Sequence, residues 1–398
     1  MNNKIYILLL TFVLVQLCMV VQAQEEKAVP RIVPADERTE LYLPLLQDKR
    51  VALLTNHTAQ VGDRHLLDML LEKGVQVSAV FSPEHGFRGT VEAGGSVRSS
   101  LDEKTGVPIL SLYGGGRSKG PAERDMRKFD LVVVDLQDVG LRFYTYYISM
   151  YYMMDACAAY GKEMLVLDRP NPNGFYVDGP TLDVSRYKSG VGILPIPVVH
   201  GMTLGELTQM INGEGWLSGG RICKLTVIPC AHYTHRSLYR LPVPPSPNLP
   251  NMQAIYLYPS LCPFEGTIVS LGRGTDKPFQ VYGHPQMKGC PYRFTPRSVT
   301  AAKNPPQCNK QCYGFDLSRL SQDSIRRRGF DLGYVIDAYQ RLDMGDRFFT
   351  SFFELLIGVD YVRKMIIQGC SAEEIRKRWQ EDVRKFKIQR KPYLLYEE

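Results

Sequence analysis

The stretch "FSPEHGFRG", residues 81–89, places a carboxylic acid, an imidazole and a guanidinium within five residues. Glu84, His85 and Arg88 directly follow the apolar run 75–81, which is typical of a buried strand. Titratable groups crowded at a strand end are costly unless a ligand or a reaction uses them. Glu84 lies in a Pro-Glu-His-Gly sequence with no evident helix to cap, so we interpret it as a functional acid.

Polar side chains follow several of the predicted strands. Ligands of an open parallel α/β sheet bind outside the carboxyl ends of its strands, so these side chains are expected to converge at one edge. Convergence from several strands indicates a site more strongly than any single motif does. The candidates beside the opening stretch are Asn56 and His57 after the first strand, Asp135, Asp138, Arg142 and Tyr144 after the fourth, and Asp168, Asn171 and Asn173 after the fifth.

Several of these candidates have a structural explanation as well. Asp168 and Asn171 precede prolines, where short polar side chains often cap turns. Asp135 could form an interior ion pair with Arg142, and Asn56 could cap a helix. The sequence leaves both explanations open for each of these residues.

The residue types narrow the chemistry. No Gly-x-Gly-x-x-Gly follows the first strand, and neither a Walker loop nor a Gly-x-Ser-x-Gly elbow is present. Carboxylates, amides, arginines and tyrosines suit sugars, and glycoside cleavage needs a carboxylic acid to protonate the leaving oxygen. Phe81 and Phe87 could supply the apolar wall that raises the pKa of such an acid at Glu84.

Short apolar runs alternate with helical patterns through the first half of the chain. Near-continuous apolar strands separated by helices predict an α/β fold with a parallel sheet covered on both faces. The predicted strands are 51–56, 75–83, 107–114, 129–138, 163–171 and 225–229, and the predicted helices are 64–74, 146–162 and 204–215.

The Pro-rich stretch "LPVPPSPNLP", residues 241–250, marks a change of pattern. After a helix that begins near residue 251, Gly/Pro-rich loops extend to about residue 312, and helical stretches follow at 331–342, 351–369 and 371–396. Ser371 is predicted to cap the last helix. We therefore predict a first domain at 24–245 and a smaller α+β domain at 246–398, because 398 residues exceed the usual size of a single core.

The N-terminus has the features of a secretory signal peptide. Lys4 precedes an apolar segment, and Val21-Gln22-Ala23 suits cleavage after Ala23, so residues 1–23 are predicted to be removed. An uncleaved membrane anchor is the alternative. The chain is thus expected to be periplasmic or extracellular, with no membrane span after cleavage. Removing Lys4 changes the net charge from +7 to +6, and the dispersed positive charges do not favour nucleic acid.

Eight cysteines follow the predicted signal peptide. An oxidising compartment permits disulfides, and Cys290, Cys308 and Cys312 lie in a loop-like stretch where they could pair. Cys157 and Cys370 lie among apolar residues and are predicted to be small buried fillers.

Long ordered motifs give the chain a family resemblance. "FSPEHGFRG", "DLQDVGLRFYTY", "LDRPNPNGFYVDGP", "SPNLPNMQAIYLYPSLCPFEGT" and "GRGTDKPFQVYGHP" closely resemble the NamZ-type exo-β-N-acetylmuramidases over residues 40–396. The resemblance implies a Rossmann-like N-terminal domain, a smaller C-terminal domain and an active-site cleft at their interface. It also implies release of N-acetylmuramic acid from non-reducing ends of peptidoglycan fragments, without metal or cofactor, and it favours Glu84 as the catalytic residue.

The roles are assigned on this resemblance and on chemistry. Glu84 is expected to be the general acid, oriented by His85. The second group is open among Asp138, Asp135, Asp168 and the 2-acetamido group of the sugar. The lactyl carboxylate of muramic acid suits a guanidinium. The substrate-binding candidates are Arg88, Arg142 or Arg273 for that carboxylate, Asn56, Asn171 and Asn173 for hydroxyls or the acetamide, Tyr144 or Tyr282 for stacking, and also His57 and Asp168.

Two rival hypotheses accompany this one. A metal-dependent cell-wall amidase would draw ligands from His57, His85, His200 and Asp168, although their spacing is not typical of metal sites. A non-catalytic module that binds cell-wall saccharides would need no reactive acid at Glu84.

Overall fold

A seven-stranded, mostly parallel sheet organises the first half of the chain. The computed structural model describes residues 30–84, 86–87, 99–114, 117–118 and 120–398. The strands are β1 (Arg50–Thr55), β2 (Gln60–Val61), β3 (Arg64–His65), β4 (Gln76–Ser82), β5 (Ser100–Leu101), β6 (Pro108–Ser111), β7 (Tyr113–Gly114), β8 (Arg117–Ser118), β9 (Leu131–Asp135), β10 (Glu163–Leu167), β11 (Asp178–Thr181), β12 (Pro197–Val199), β13 (Lys224–Ile228), β14 (Val281–His284), β15 (Tyr292–Phe294) and β16 (Cys312–Asp316).

The strand order in this sheet is β13-β10-β9-β1-β4-β6-β5. All neighbours are parallel except the edge strand β5, which runs antiparallel to β6. The chain builds outward from β1 to β4 and β6, then crosses back to β9 on the other side of β1. The strand order therefore reverses between β1 and β9, and ligands of open α/β sheets bind at such a point.

Helices cover both faces of the sheet. The α-helices are α1 (Thr39–Tyr42), α2 (Leu66–Glu72), α3 (Glu123–Met126), α4 (Tyr146–Tyr160), α5 (Val184–Tyr187), α6 (Leu204–Gly213), α7 (Met252–Leu261), α8 (Gln322–Arg328), α9 (Gly333–Leu342), α10 (Phe352–Ile357), α11 (Tyr361–Ile367) and α12 (Ala372–Arg390). Short 3₁₀ segments lie at Ala35–Glu37, Leu43–Leu46, Ser218–Gly220, Cys262–Gly266, Gly345–Phe348 and Lys391–Tyr393.

The alternation of side chains along β1 shows why its run is apolar throughout. Ala52 and Leu54 belong to the larger hydrophobic core, which includes the buried face of α4. Val51 and Leu53 belong to a second core on the opposite face, together with α2. A strand buried on both faces needs apolar residues at every position, so the predicted α/β fold is confirmed.

The region after α7 contains a three-stranded antiparallel sheet, β14-β16-β15, and helices α8 to α12. This arrangement confirms the predicted smaller α+β region. Ser371 caps α12 as predicted, accepting a hydrogen bond from the backbone N–H of Glu374. The predicted helical stretch 351–369 is two helices, because the chain turns at Gly358, where φ is 86°.

Residues Val33–Glu398 form one compact unit; of the preceding unit, Met1–Ile32, the structure describes only residues 30–32. The predicted boundary between residues 245 and 246 stays a prediction. The predicted signal peptide lies outside the described residues. Across the described ranges, no helix is long and apolar enough to cross a membrane.

The described cysteines are free thiols, so the predicted pairing among Cys290, Cys308 and Cys312 is wrong. Cys312 lies in β16 and packs with Val281 in the small sheet, and its Sγ contacts the carbonyl of Lys310 at 3.7 Å. Cys157 is fully buried, as predicted for a filler, whereas Cys370 is only half-buried.

Candidate active site

Glu84 lies just beyond the carboxyl end of β4 and is buried. The hydroxyl of Thr145, which immediately precedes α4, donates a hydrogen bond to Glu84 Oε2. Tyr113, which begins β7, also forms a hydrogen bond with this carboxylate. Burial, then the negative charge of Glu84 and a hydrogen bond to it, raise the pKa of the Tyr113 hydroxyl. Two hydroxyl side chains from separate elements therefore hold the Glu84 carboxylate in place.

Glu84 faces a cavity of about 560 Å³. Its wall combines the segment 143–146, after β9, with loops and helices from the region after residue 245. A cavity of this size is within the range of small-molecule sites. It lies where the strand order of the sheet reverses, as expected for an open α/β fold.

Aromatic rings line one continuous side of this cavity. Tyr144 contacts Tyr146 edge to face at 4.7 Å, and Tyr144 and Tyr258 are 6.2 Å apart. Tyr258 then meets Phe279 at 4.7 Å. We call these four rings the aromatic wall. Such rings can stack on a pyranose while their hydroxyls stay anchored, as those of Tyr144 and Tyr146 are on the carbonyl of Pro245.

An ion pair lies at the far end of the aromatic wall. Arg273 Nε and Nη2 both contact Glu265 Oε1, at 2.6 and 2.5 Å. The Arg273 guanidinium also lies 5.0 Å from the ring centre of Phe279, so an ion pair and a cation–π contact fix it together. Both Glu265 and Arg273 line the cavity.

Three of the predicted site residues line this cavity, namely Glu84, Tyr144 and Arg273. His57 lies in a neighbouring shallow cavity of about 390 Å³ that shares Ser246 with the first, and its Nε2 contacts the carbonyl of Pro244 at 2.8 Å. His85 and Arg88 lie outside the described residues, so their predicted roles stay predictions.

Arg142 does not line the cavity and has a structural role. It is fully buried, and its guanidinium donates to the carbonyls of Pro180, Ile196, Leu356 and Ile357 at 2.6–3.0 Å. Burial lowers its pKa to about 10. These contacts use the guanidinium to join segments of backbone, and the predicted contact with a lactyl carboxylate has no support in this position.

Asp168 is likewise engaged inside the protein. Its carboxylate accepts hydrogen bonds from the hydroxyls of Thr203 and Tyr396 and from the N–H of Gly205, at 2.6–2.8 Å. Burial raises its pKa to about 6. The residue therefore joins β10 to the start of α6 and to the segment 394–398, and does not line the cavity.

The remaining amides and acids have structural partners as well. Asn56 Oδ1 accepts from the N–H and hydroxyl of Thr58, and Asn171 Oδ1 accepts from the N–H of Asn173. Asp135 pairs with Arg169, not with Arg142, and Arg169 also bonds Asp36. The other contacts are Asn171 Nδ2 to Met202 O, Asn173 Nδ2 to Val139 O, and the Tyr282 hydroxyl to Asp337 at 3.1 Å.

Asp138 is buried and does not line the cavity. Its Oδ1 accepts from the N–H of Gly140 at 2.6 Å, and its buried Oδ2 has no hydrogen-bond partner among the described residues. Burial raises its pKa to about 7. Its predicted role as base or nucleophile would need access to substrate that this position does not provide.

The described members of the proposed amidase ligand set do not assemble. His200 is fully buried, and burial lowers its pKa to about 3. Asp168 and His57 are engaged in the separate places given above. Over the described ranges, no group of three or more His, Cys, Asp and Glu side chains could hold a metal ion.

Comparison with known proteins gives this geometry a family. Residues 51–253 match the family model "Exo-beta-N-acetylmuramidase NamZ, N-terminal", and residues 256–396 match its C-terminal counterpart. The chain belongs to the NamZ family of exo-β-N-acetylmuramidases, which are glycoside hydrolases. It is 36% identical to the peptidoglycan β-N-acetylmuramidase NamZ of Bacillus subtilis (strain 168), over 89% of both chains.

Two solved structures share the NamZ family fold. A DUF1343 family protein from Bacteroides fragilis NCTC 9343 is 63% identical, with a TM-score of 0.87, over 93% of this chain and 100% of that one. Another DUF1343 protein from the same organism is 27% identical, with a TM-score of 0.78, over 92% of this chain and 100% of that one.

Sequence reasoning missed three residues that shape the cavity. Thr145 and Tyr113 hold Glu84, and Glu265 is a second carboxylate. A usable signal existed for Glu265, since it lies in "CPFEGT", one of the motifs that carry the family resemblance. Tyr113 begins the glycine-rich stretch 113–120, whose composition indicates a loop and conceals its contact with Glu84.

Proposed function

We propose that this protein is an exported exo-β-N-acetylmuramidase that releases N-acetylmuramic acid from the non-reducing ends of peptidoglycan fragments. The observation that carries the proposal is the buried Glu84 carboxyl facing an aromatic-lined cavity of about 560 Å³. Family membership and the name of the Bacillus subtilis relative support the substrate class.

Glu84 is the general acid in this proposal. Its proton passes to the glycosidic oxygen as the bond from that oxygen to the anomeric carbon breaks. Water then supplies a hydroxyl to the anomeric carbon, and its remaining proton replaces the one that left the enzyme. The hydroxyls of Thr145 and Tyr113 orient the carboxyl toward the leaving oxygen.

The lactyl carboxylate of the substrate needs a cationic partner. Arg273 and Lys303 both line the cavity, and Lys303 is exposed on the loop before Pro305. Arg273 contacts Glu265 through two of its nitrogens. Lys303 and Arg273 are both proposed as cationic contacts for the lactyl carboxylate, because both line the cavity.

A pair of aryl substrates tests the activity. The wild type should release 4-nitrophenol from 4-nitrophenyl N-acetyl-β-muramide and much more slowly from the matching glucosaminide. Detection of N-acetylmuramic acid from a MurNAc–GlcNAc disaccharide should depend on Glu84, and Glu84→Gln should lower that rate about 10³-fold. Equal cleavage of both aryl glycosides, or full activity of Glu84→Gln, would contradict the proposal, and activity abolished by EDTA would favour the amidase.

Export is tested separately. Mass spectrometry of protein recovered from the periplasm or the medium should find an N-terminus at Gln24, as cleavage after Ala23 requires. An intact Met1 in the membrane fraction would instead indicate an anchored protein.

A further inference from the structure

Glu265 and Glu84 are the two carboxylates among the described residues that line the cavity. They reach it from distant parts of the chain, since Glu84 follows β4 and Glu265 lies in the 3₁₀ segment Cys262–Gly266, directly after α7. Neither Asp138 nor Asp168, which the sequence suggested as partners for Glu84, lines it. Glu265 is therefore the candidate for a second reactive carboxylate in this cavity.

The backbone around Glu265 is held firmly. A Cβ atom on the neighbouring Gly266 would lie 2.3 Å from the Cα of Phe353, so α10 packs directly against this glycine. The N–H of Thr267 donates to the carbonyl of Phe264 and closes the segment. A side chain that acts in catalysis needs such support, because small displacements of a reactive group are costly.

The two oxygens of Glu265 have different surroundings. Oε1 receives both bonds from Arg273, whereas Oε2 has only a long 3.9 Å contact from the Cys262 thiol among the described residues. Arg273 is held in turn by Phe279 and by the turn at Gly272, where φ is 85° and a Cβ would lie 2.4 Å from the carbonyl of Lys277. The guanidinium thus fixes one oxygen and leaves the other available to a ligand.

The aromatic wall connects the two carboxylates. At one end, the charge of Glu84 contributes to raising the pKa of Tyr146, after burial. At the other end, burial raises the pKa of Tyr258, and the charge of Glu265 adds to this rise. Both carboxyl groups therefore face the cavity along the aromatic wall, and glycoside cleavage uses a pair of carboxyl groups beside the scissile bond.

We propose that Glu265 is the second catalytic carboxylate, whose Oε2 stabilises the positive charge that develops at the anomeric carbon while Glu84 protonates the leaving oxygen. This proposal rests on the proposed function and assigns a residue to the half of the reaction that Glu84 does not perform. Arg273 is a positioning residue that holds the carboxylate.

Two substrates separate the roles of the two carboxylates. The 4-nitrophenolate leaving group needs no proton, whereas the sugar alcohol of MurNAc–GlcNAc does. Glu84→Gln should therefore lose about 10³-fold in kcat on the disaccharide and less than about tenfold on 4-nitrophenyl muramide. Glu265→Gln should lose about 10³-fold in kcat on both substrates, because charge builds at the anomeric carbon in both reactions. Its KM should change less than about threefold, since the contact strengthens only in the transition state.

A matched control is Glu354→Gln. Glu354 also pairs with an arginine, Arg363, at 3.2 Å and with similar exposure, but it does not line the cavity. Its kcat should stay within about twofold of the wild type, as expected for a pair outside the site. Thermal melts of all variants, and binding of N-acetylmuramic acid by calorimetry, separate a catalytic loss from misfolding.

The proposal is overturned if Glu265→Gln keeps more than a tenth of wild-type kcat on either substrate. Should Glu265→Gln fail to fold, Glu265→Asp gives the same test, because it keeps the charge and moves Oε2 by one methylene. It should lose kcat on both substrates while binding N-acetylmuramic acid normally, and unchanged kcat would overturn the proposal. If the wild type cleaves neither substrate, the proposed function itself fails, which is a different result.

Discussion

At the scale of single residues, Asp138 shows how burial alone can alter a carboxyl group. Its raised pKa, about 7, results from burial against only partial compensation by backbone N–H groups. The folded state thus holds a proton that the unfolded state releases near pH 4. The contribution of Asp138 to stability is neutral below that pH and becomes increasingly unfavourable as the pH rises to about 7.

Asp138→Asn removes this penalty while keeping an acceptor for the N–H of Gly140. We expect the free energy of unfolding of the variant, relative to wild type, to improve by up to about 4 kcal/mol between pH 4 and pH 8. Urea unfolding at the two pH values measures this difference. Because Asp138 does not line the cavity, kcat should change little. A loss of several hundredfold in a stable variant would instead support Asp138 as a catalytic base.

Lys303 carries the prediction about specificity. Lys303→Met should lower kcat/KM about tenfold on 4-nitrophenyl muramide, because a charge-assisted contact to the lactyl carboxylate is lost. The rate on the glucosaminide, which lacks that carboxylate, should not change. Lys310→Met is the control, since Lys310 is also exposed but does not line the cavity. An equal effect of Lys303→Met on both substrates would show that Lys303 does not recognise the lactyl carboxylate.

At the scale of elements, the polar residues after the strands include both a candidate catalytic residue and residues with structural roles. Apolar runs and their intervening helices predict the parallel sheet, because a strand buried on both faces leaves a distinct pattern in the sequence. Glu84 could be predicted at its edge for the same reason. The roles of Arg142, Asp168 and Asn171 could not, since a polar residue after a strand looks the same whether it binds a ligand or a distant backbone carbonyl.

Arg142 joins the loop after β9 to β11, to the residue before β12 and to the last residues of α10. Arg142→Met keeps the length of the side chain but leaves four carbonyls without their donor. We expect the free energy of unfolding to fall by about 3–5 kcal/mol, as for other buried charges with dedicated partners. Chemical denaturation measures this loss. The KM of the folded fraction for the muramide should stay near wild type. A large rise in KM would instead indicate that Arg142 binds the lactyl carboxylate.

At the scale of the whole molecule, the cavity joins residues that sequence patterns treat separately. Glu84 and Glu265 are separated by about half the described chain, and Glu265 lies in irregular structure without periodicity. Its pairing with Arg273 depends on a turn at Gly272 and on packing against Phe353, neither of which leaves a local signal. Such a site becomes visible only when tertiary contacts bring its parts together.

The segment 394–398 is another long-range feature that the sequence does not reveal. Tyr396 donates its hydroxyl to buried Asp168 at 2.6 Å and accepts from the N–H of Cys230 at 2.9 Å. The N–H of Leu395 donates to buried Glu206 at 2.9 Å. The segment therefore satisfies two buried carboxylates at the edge of the main sheet.

Tyr396→Phe tests this attachment with the loss of one hydroxyl. Asp168 has a folded pKa near 6, above its unfolded value, so it is protonated in both states at low pH and charged in both above pH 7. The hydroxyl of Tyr396 favours the charged form, so its removal should cost about 1–3 kcal/mol at pH 8 and clearly less at pH 4. Thermal melts at both pH values measure the cost.

Tyr393→Phe is the control, because the Tyr393 hydroxyl also bonds a carboxylate, that of Glu214, but at a half-exposed position. Equal losses for the two variants, or a loss independent of pH, would show that Tyr396 does not act through the charge of Asp168.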